Sequence, residues 1–142
     1  MAFLLDCLLS TLIVHMTFYF IRQVAFGAHF QNAISCMIWS IVVFPIMTWI
    51  LTLIFIPIEV IWGVGILAVF FILIQMPIGT TKHPIVNKQH QQYLQKKKYI
   101  RVLIVGAVLL FATASTQLYI VYGLVIQSSS MIIQLIQGGT KL

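Results

Sequence analysis

Charge is what this chain has least of. Only 7% of its 142 residues are charged, and just 2 of those, Asp6 and Glu59, are acidic. An ordinary soluble domain carries about 25% charged residues. So few could not cover a surface that faces water on all sides, which excludes a soluble globular fold. Cysteine is as scarce: Cys7 and Cys36 are the whole complement, in separate apolar settings. There is no Cys-x-x-Cys pair and no Cys/His cluster with metal-ligand spacing, which excludes a disulfide scaffold or a metal site as the organising feature. No phosphate-binding glycine loop, metalloprotease motif or serine nucleophile elbow occurs. No cofactor and no nucleic-acid partner are therefore expected.

Long apolar runs stand in place of charge. Hydrophobic residues make up 61% of the chain and its mean hydropathy is +1.08. The runs are continuous instead of alternating, which argues for helices and against a membrane β-barrel. The expected fold is all-α: a polytopic helical membrane protein with about five membrane helices, forming one integral membrane domain over residues 1–142.

The first helix covers about 1–21. A cleaved signal peptide would open on basic residues, and this run carries Asp6 there instead. From Met37 to Ile78 the only charge is Glu59. That stretch is too long for one crossing of a core roughly 30 Å thick at about 1.5 Å per residue. Two helices, about 38–56 and 59–77, fit it, with Pro57 and Glu59 at the turn and a kink expected at Pro45. Residues 78–98, IGTTKHPIVNKQHQQYLQKKK, read as a basic, water-facing loop. Helices over about 99–114 and 118–137 complete the chain, hinged at 114–117, with the last one weakened by QSSS at 127–130.

Lysine and arginine mark the cytoplasmic side of a bilayer. With the 78–98 loop placed there, Lys82, Lys88, Lys96, Lys97, Lys98 and Arg101 are inside by assignment. Threading the helices outward then puts Arg22 and Lys141 inside too, while Asp6 and Glu59 fall outside. Every basic residue agrees. The connection from Arg22 to about Cys36 is therefore expected on the cytoplasmic face of a cell membrane.

That connection, RQVAFGAHFQNAISC, holds the one histidine that shares a short polar stretch with a cysteine. A nucleophilic thiol works as its thiolate, which neighbouring positive charge favours and an apolar bilayer core opposes. Cys36 has Arg22 and His29 nearby, whereas Cys7 sits beside Asp6 and reads as a small buried hydrophobe. His15 lies deep in the first run, where a hydrogen bond to another helix is its expected role. His83 and His90 belong to the solvated basic loop.

His29 and Cys36 are seven residues apart. On a straight helix they would share a face but stand roughly 10 Å apart along the axis, too far for an imidazole to take a proton from a thiol. A working pair requires the chain to bend between Gly27 and Cys36, and glycine bends most cheaply. The alternative is a histidine snorkelling at the interface beside a packed cysteine. The spacing leaves both open.

The stretch TFYFIRQVAFGAHFQNAISC, Thr17 to Cys36, resembles the active segment of the accessory gene regulator protein B family, membrane peptidases of Gram-positive quorum-sensing systems. The family pattern is an arginine, then Gly-x-His, then a cysteine seven residues beyond the histidine. Arg22, Gly27, His29 and Cys36 match it. MPIGTTKHPIVNKQHQQYLQKKKYIRVLIV, from Met76, resembles the family's basic loop running into a membrane helix. The likeness covers most of the chain. Members usually carry several dozen more residues ahead of the segment that begins here, so the chain reads as an N-terminally short form.

The resemblance implies a cysteine endopeptidase that removes the C-terminal tail of a small membrane-associated propeptide. Cys36 would hold the remainder as a thioester until an internal thiol of the propeptide closes a thiolactone ring. His29 would be the base and Gly27 would set the bend. Arg22 would hold the segment at headgroup level or meet a substrate carboxylate. Lys96, Lys97 and Lys98 would attract an acidic propeptide tail, besides fixing orientation. The bilayer, the propeptide and a second copy of the chain are the expected partners. Two readings compete. One is a non-catalytic membrane subunit, for which only Asp6 and His15 supply intramembrane ionisable groups; the other is an inactive fragment of such a protease.

Overall fold

The computed structural model describes residues 7–25, 33–76 and 86–136, and among these the chain is helical with no strand. In order come α1 (Leu8–Arg22), α2 (Ala33–Ile41), a π-helical turn (Val42–Ile46), α3 (Met47–Leu53), α4 (Ile58–Ile74), α5 (Lys88–Phe111) and α6 (Ala114–Ile136). α2, the π turn and α3 run on as one interrupted rod. The Ile34–Leu53 part of that rod and α6 are each long and apolar enough to cross a bilayer, while α1 and α4 are shorter apolar helices. Leu9, Leu67, Leu103 and Phe111 point outward, as side chains bathed in lipid do. The protein is an all-α membrane protein.

α6 lies at the centre, with α1 packed along one side and α4 along another. Each approach depends on a missing side chain. A Cβ on Gly123 would stand 2.9 Å from the Val14 carbonyl oxygen and 2.9 Å from Thr17 Cβ, and one on Gly65 would stand 2.9 Å from a Val121 methyl. Inside lipid no hydrophobic drive joins helices, so close backbone approach and its dispersion contacts hold them together. Ile21, Ile72, Ile120, Val121 and Leu124 fill the space between. Val14 and Phe18 meet Phe44 in a smaller cluster that fastens the α2–α3 rod to α1.

Pro45 has no N–H for the helix ladder. Where a kink was expected, the rod widens into the π turn, and the Tyr122 hydroxyl donates to the Val43 carbonyl at 2.8 Å. An outside donor thus satisfies a carbonyl that the altered ladder leaves available.

The last two helices differ from expectation. α5 begins at Lys88, so the second half of the expected 78–98 loop is helical. The stretch is rich in Gln, Lys and Leu, all good helix formers, and it turns Leu94 and Lys98 inward one turn apart. The break before α6 falls at residues 112–113 instead of 114–117. α6 then passes through QSSS uninterrupted, the Ser128 and Ser129 hydroxyls folding back onto the Leu124 and Val125 carbonyls at 2.9 Å each.

Cations of α5 close two helix C-termini. Lys98 Nζ donates to the Leu73 carbonyl at 3.2 Å and to that of Gln75, at the end of α4. Arg101 donates to the Phe20 carbonyl at 2.7 Å and to Gln23 Oε1 at 2.6 Å, at the end of α1. Terminal carbonyls without intrahelical partners, and the negative end of the helix dipole, make these the natural places for a cation. The ends of α1 and α4 therefore share one face of the bundle.

Candidate active site

Arg22 ends α1 and Cys36 lies in the first turn of α2. Both line a cavity of about 360 Å³ between α1, the α2–α3 rod and α6. Helix register explains why they meet. The bond between Tyr122 and Val43 fixes one level. Seven residues back along the rod, and seven forward along α6, lie Cys36 and Ser129, which also line the cavity. Each step is about 10 Å. From α1, Phe18 stands edge-on to Phe44 with centroids 5.3 Å apart. One turn later the Arg22 guanidinium carbon lies 5.1 Å from the Phe18 ring centroid. The cavity thus has an aromatic floor and a rim bearing a guanidinium, a thiol and serine hydroxyls.

The electrostatics link the two rim groups. Burial pulls the Arg22 guanidinium below its ordinary range, and attraction to Cys36 works the other way. The first turn of a helix also carries the positive end of its dipole, so both neighbours of the sulfur present positive potential.

The cysteines differ as expected: Cys7 is buried and Cys36 exposed. Cys7 Sγ lies 3.6 Å from Thr11 Oγ1 and 3.8 Å from the Pro45 carbonyl oxygen.

The expected connection from 22 to 36 is shorter than the sequence implied, since Arg22 belongs to α1 and residues 33–36 to α2. The chain leaves α1 through a turn in which the Val24 and Ala25 N–H groups both donate to the Ile21 carbonyl, at 3.1 and 2.9 Å. Gly27, His29 and His83 lie outside the described residues. His15 is exposed and meets Phe44 edge-on at 4.7 Å, an aromatic contact in place of the expected hydrogen bond.

The three lysines expected to attract a tail divide. Lys96 and Lys97 are exposed, with Lys97 Nζ 4.6 Å from the Tyr93 ring centroid. Lys98 is fully buried, its ammonium engaged with α4. It lies before the apolar run of α5, and burial pushes its pKa down to about 8.

The sequence profile described as accessory gene regulator B matches residues 1–137. The chain belongs to that family. The accessory gene regulator protein B of Staphylococcus carnosus (strain TM300) is 39% identical over 112 residues, covering 78% of this chain and 55% of that protein. That of Staphylococcus saprophyticus subsp. saprophyticus is 32% identical over 124 residues, covering 84% of this chain and 63% of the relative. That of Staphylococcus intermedius is 27% identical over 132 residues, covering 93% and 70%. The chain thus spans 55% and 63% of the length of the first two relatives. No solved structure matches it. The membership to which Thr17–Cys36 pointed holds.

Within this family member, Gln127 ties α6 to the exit of α1, a contact that its sequence neighbours do not announce. It is fully buried in α6, and its Nε2 donates to the Ala25 carbonyl at the exit of α1. Its Oε1 has no partner among the described residues. A glutamine inside an apolar helix signals a polar contact between helices. Grouping it with the serines as a weak spot in the helix hid that signal.

Proposed function

We propose that this member of the accessory gene regulator B family is a membrane cysteine endopeptidase of a quorum-sensing system. It cleaves the C-terminal tail from a small membrane-associated propeptide and supports thiolactone closure of the remainder. One observation carries the reading: the Cys36 thiol and the Arg22 guanidinium share the rim of a cavity with an apolar floor.

In this reading His29 takes the Cys36 proton, and the sulfur attacks the carbonyl of the scissile bond. The C–N bond breaks, the departing amine takes the proton from His29, and the acyl part stays on Cys36 as a thioester. An internal thiol of the propeptide then gives its proton to His29 and attacks the same carbonyl, closing the ring; the bond from that carbon to the Cys36 sulfur breaks and releases the Cys36 thiolate. Exchange between thioesters is nearly neutral in energy, so water must be kept away; the apolar cavity wall supports that exclusion. The helices cross the cell membrane several times with the Arg22–Cys36 face toward the cytoplasm, as the positive-inside rule requires. Lys96 and Lys97 draw the acidic tail toward that face in a salt-dependent way.

Cys36→Ala should abolish tail release from a co-expressed propeptide while membrane insertion stays normal. Wild-type protein should carry a propeptide thioester on Cys36, detectable by mass spectrometry. Tail release by the Cys36→Ala protein would end this reading.

A further inference from the structure

We propose that Ser130 donates a hydrogen bond to the oxyanion that forms when Cys36 attacks the propeptide carbonyl, with the Arg22 guanidinium as second donor. The assignment rests on the peptidase reading above.

Residues 128–130 are three serines in succession on α6, and they are not equivalent. Ser128 is buried, donates to the Leu124 carbonyl at 2.9 Å and stands 3.4 Å from the Ala68 carbonyl. Ser129 donates to the Val125 carbonyl at 2.9 Å. Ser130 is half-buried and lines the Cys36 cavity. Among the described residues its hydroxyl makes no such bond back to the helix, although that is the ordinary resting place for a serine in an apolar helix. One serine of the three therefore keeps a donor uncommitted, and that serine faces the nucleophile's cavity.

Register sets the level. Stepping from the Val43–Tyr122 bond, Cys36 lies seven residues along the rod, and Ser130 lies eight along α6. At about 1.5 Å per residue these are nearly equal depths. Arg22 reaches the same rim from α1.

The chemistry needs a donor there. A sulfur lone pair forms the S–C bond while the carbonyl π pair moves onto oxygen. Ser130 O–H and an Arg22 N–H donate to that oxygen. The pair then returns to rebuild the carbonyl as the C–N bond breaks, and the leaving amine takes its proton from His29. Attack on the thioester by the propeptide's own thiol passes through an oxyanion on the same carbonyl, so the same donors serve both steps. Against a mostly apolar cavity wall, a fixed donor aimed at developing charge acts more strongly than it would in open solvent.

The test uses the whole chain in proteoliposomes with a synthetic amphipathic propeptide bearing one internal cysteine and an acidic C-terminal tail. Ser130→Ala should lower kcat for tail release on the order of 100-fold, with KM little changed. Iodoacetamide alkylation of Cys36 involves no oxyanion and should keep its wild-type rate. Ser130→Thr, which restores a hydroxyl, should recover most of kcat, and Ser129→Ala should lose clearly less than Ser130→Ala. Wild-type kcat in Ser130→Ala overturns the proposal, as do equal losses at the two serines or a parallel fall in Cys36 alkylation. Tail release by Cys36→Ala would instead remove the peptidase reading itself. A dead Cys36→Ala beside a fully active Ser130→Ala removes only the role of Ser130.

Discussion

Cys7 and Cys36 stand on neighbouring helices, yet one thiol is enclosed and the other is presented. Cys7 precedes α1, packed against Thr11 and the Pro45 carbonyl. Cys36 lies in the first turn of α2, near the positive end of that helix and across from Arg22. The side chain is the same; helix end, neighbouring charge and access differ. Burial and surroundings thus distinguish the two positions, and the contrast can be tested by perturbing each position in turn.

The largest expected effect is on labelling. Iodoacetamide on the native protein should modify Cys36 faster than Cys7 by a factor on the order of 100, because a buried thiol reacts only through local opening. Comparable rates at the two sites would erase the contrast. Next comes Gly123→Val. Its side chain would press on Val14 and Thr17 of α1, costing about 1–3 kcal/mol by overpacking. Cys7 labelling should then rise about tenfold, in proportion to the lost protection, as measured by peptide mass spectrometry.

A smaller effect is expected from Cys7→Ala. It should lower stability by about 1 kcal/mol, the cost of a small cavity, and leave tail release within about twofold of wild type. Tail release abolished by Cys7→Ala would reverse the roles assigned here.

The last effect concerns the face that α5 closes. Burial holds Lys98 at about 8 against an ordinary 10.5. Between those values the unfolded chain binds the extra proton, so stability should rise with pH across that window. Below about 8 both states are charged and the burial cost is fully present. The thermal midpoint in detergent should therefore climb between pH 8 and 10 in wild type, and climb less in Lys98→Met.

Much of this was legible in the sequence, and for physical reasons. Scarcity of charge announced a membrane protein, and continuous apolar runs announced helices. That Arg22 lies near Cys36, and that Cys7 is the buried cysteine, could be expected from the charges beside each thiol; the expected pairing of His29 with Cys36 falls on a residue outside those described. What could not be read were contacts between residues far apart in sequence. Lys98 looked like one of three equivalent lysines, because nothing local says that Leu73 and Gln75 need a donor. Gln127 looked like a flaw in α6, because the Ala25 carbonyl it serves lies 102 residues away. The start of α5 was missed for a different reason. Its first half has no apolar period to mark it, only residues that favour helix wherever they stand.

The caps at the ends of α1 and α4 have a further consequence, for how the chain is made. In the proposed orientation Lys98 and Arg101 belong to the cluster of positive charge that sets direction when a nascent helix enters the bilayer, and in the finished fold they are also the side chains that finish two other helices. Orientation and assembly are thus written with the same side chains. A chain in which α5 alone entered the bilayer the other way round would carry those cations to the opposite side from the carbonyls of α1 and α4 that they meet, and it would fail to pack as well as face the wrong way.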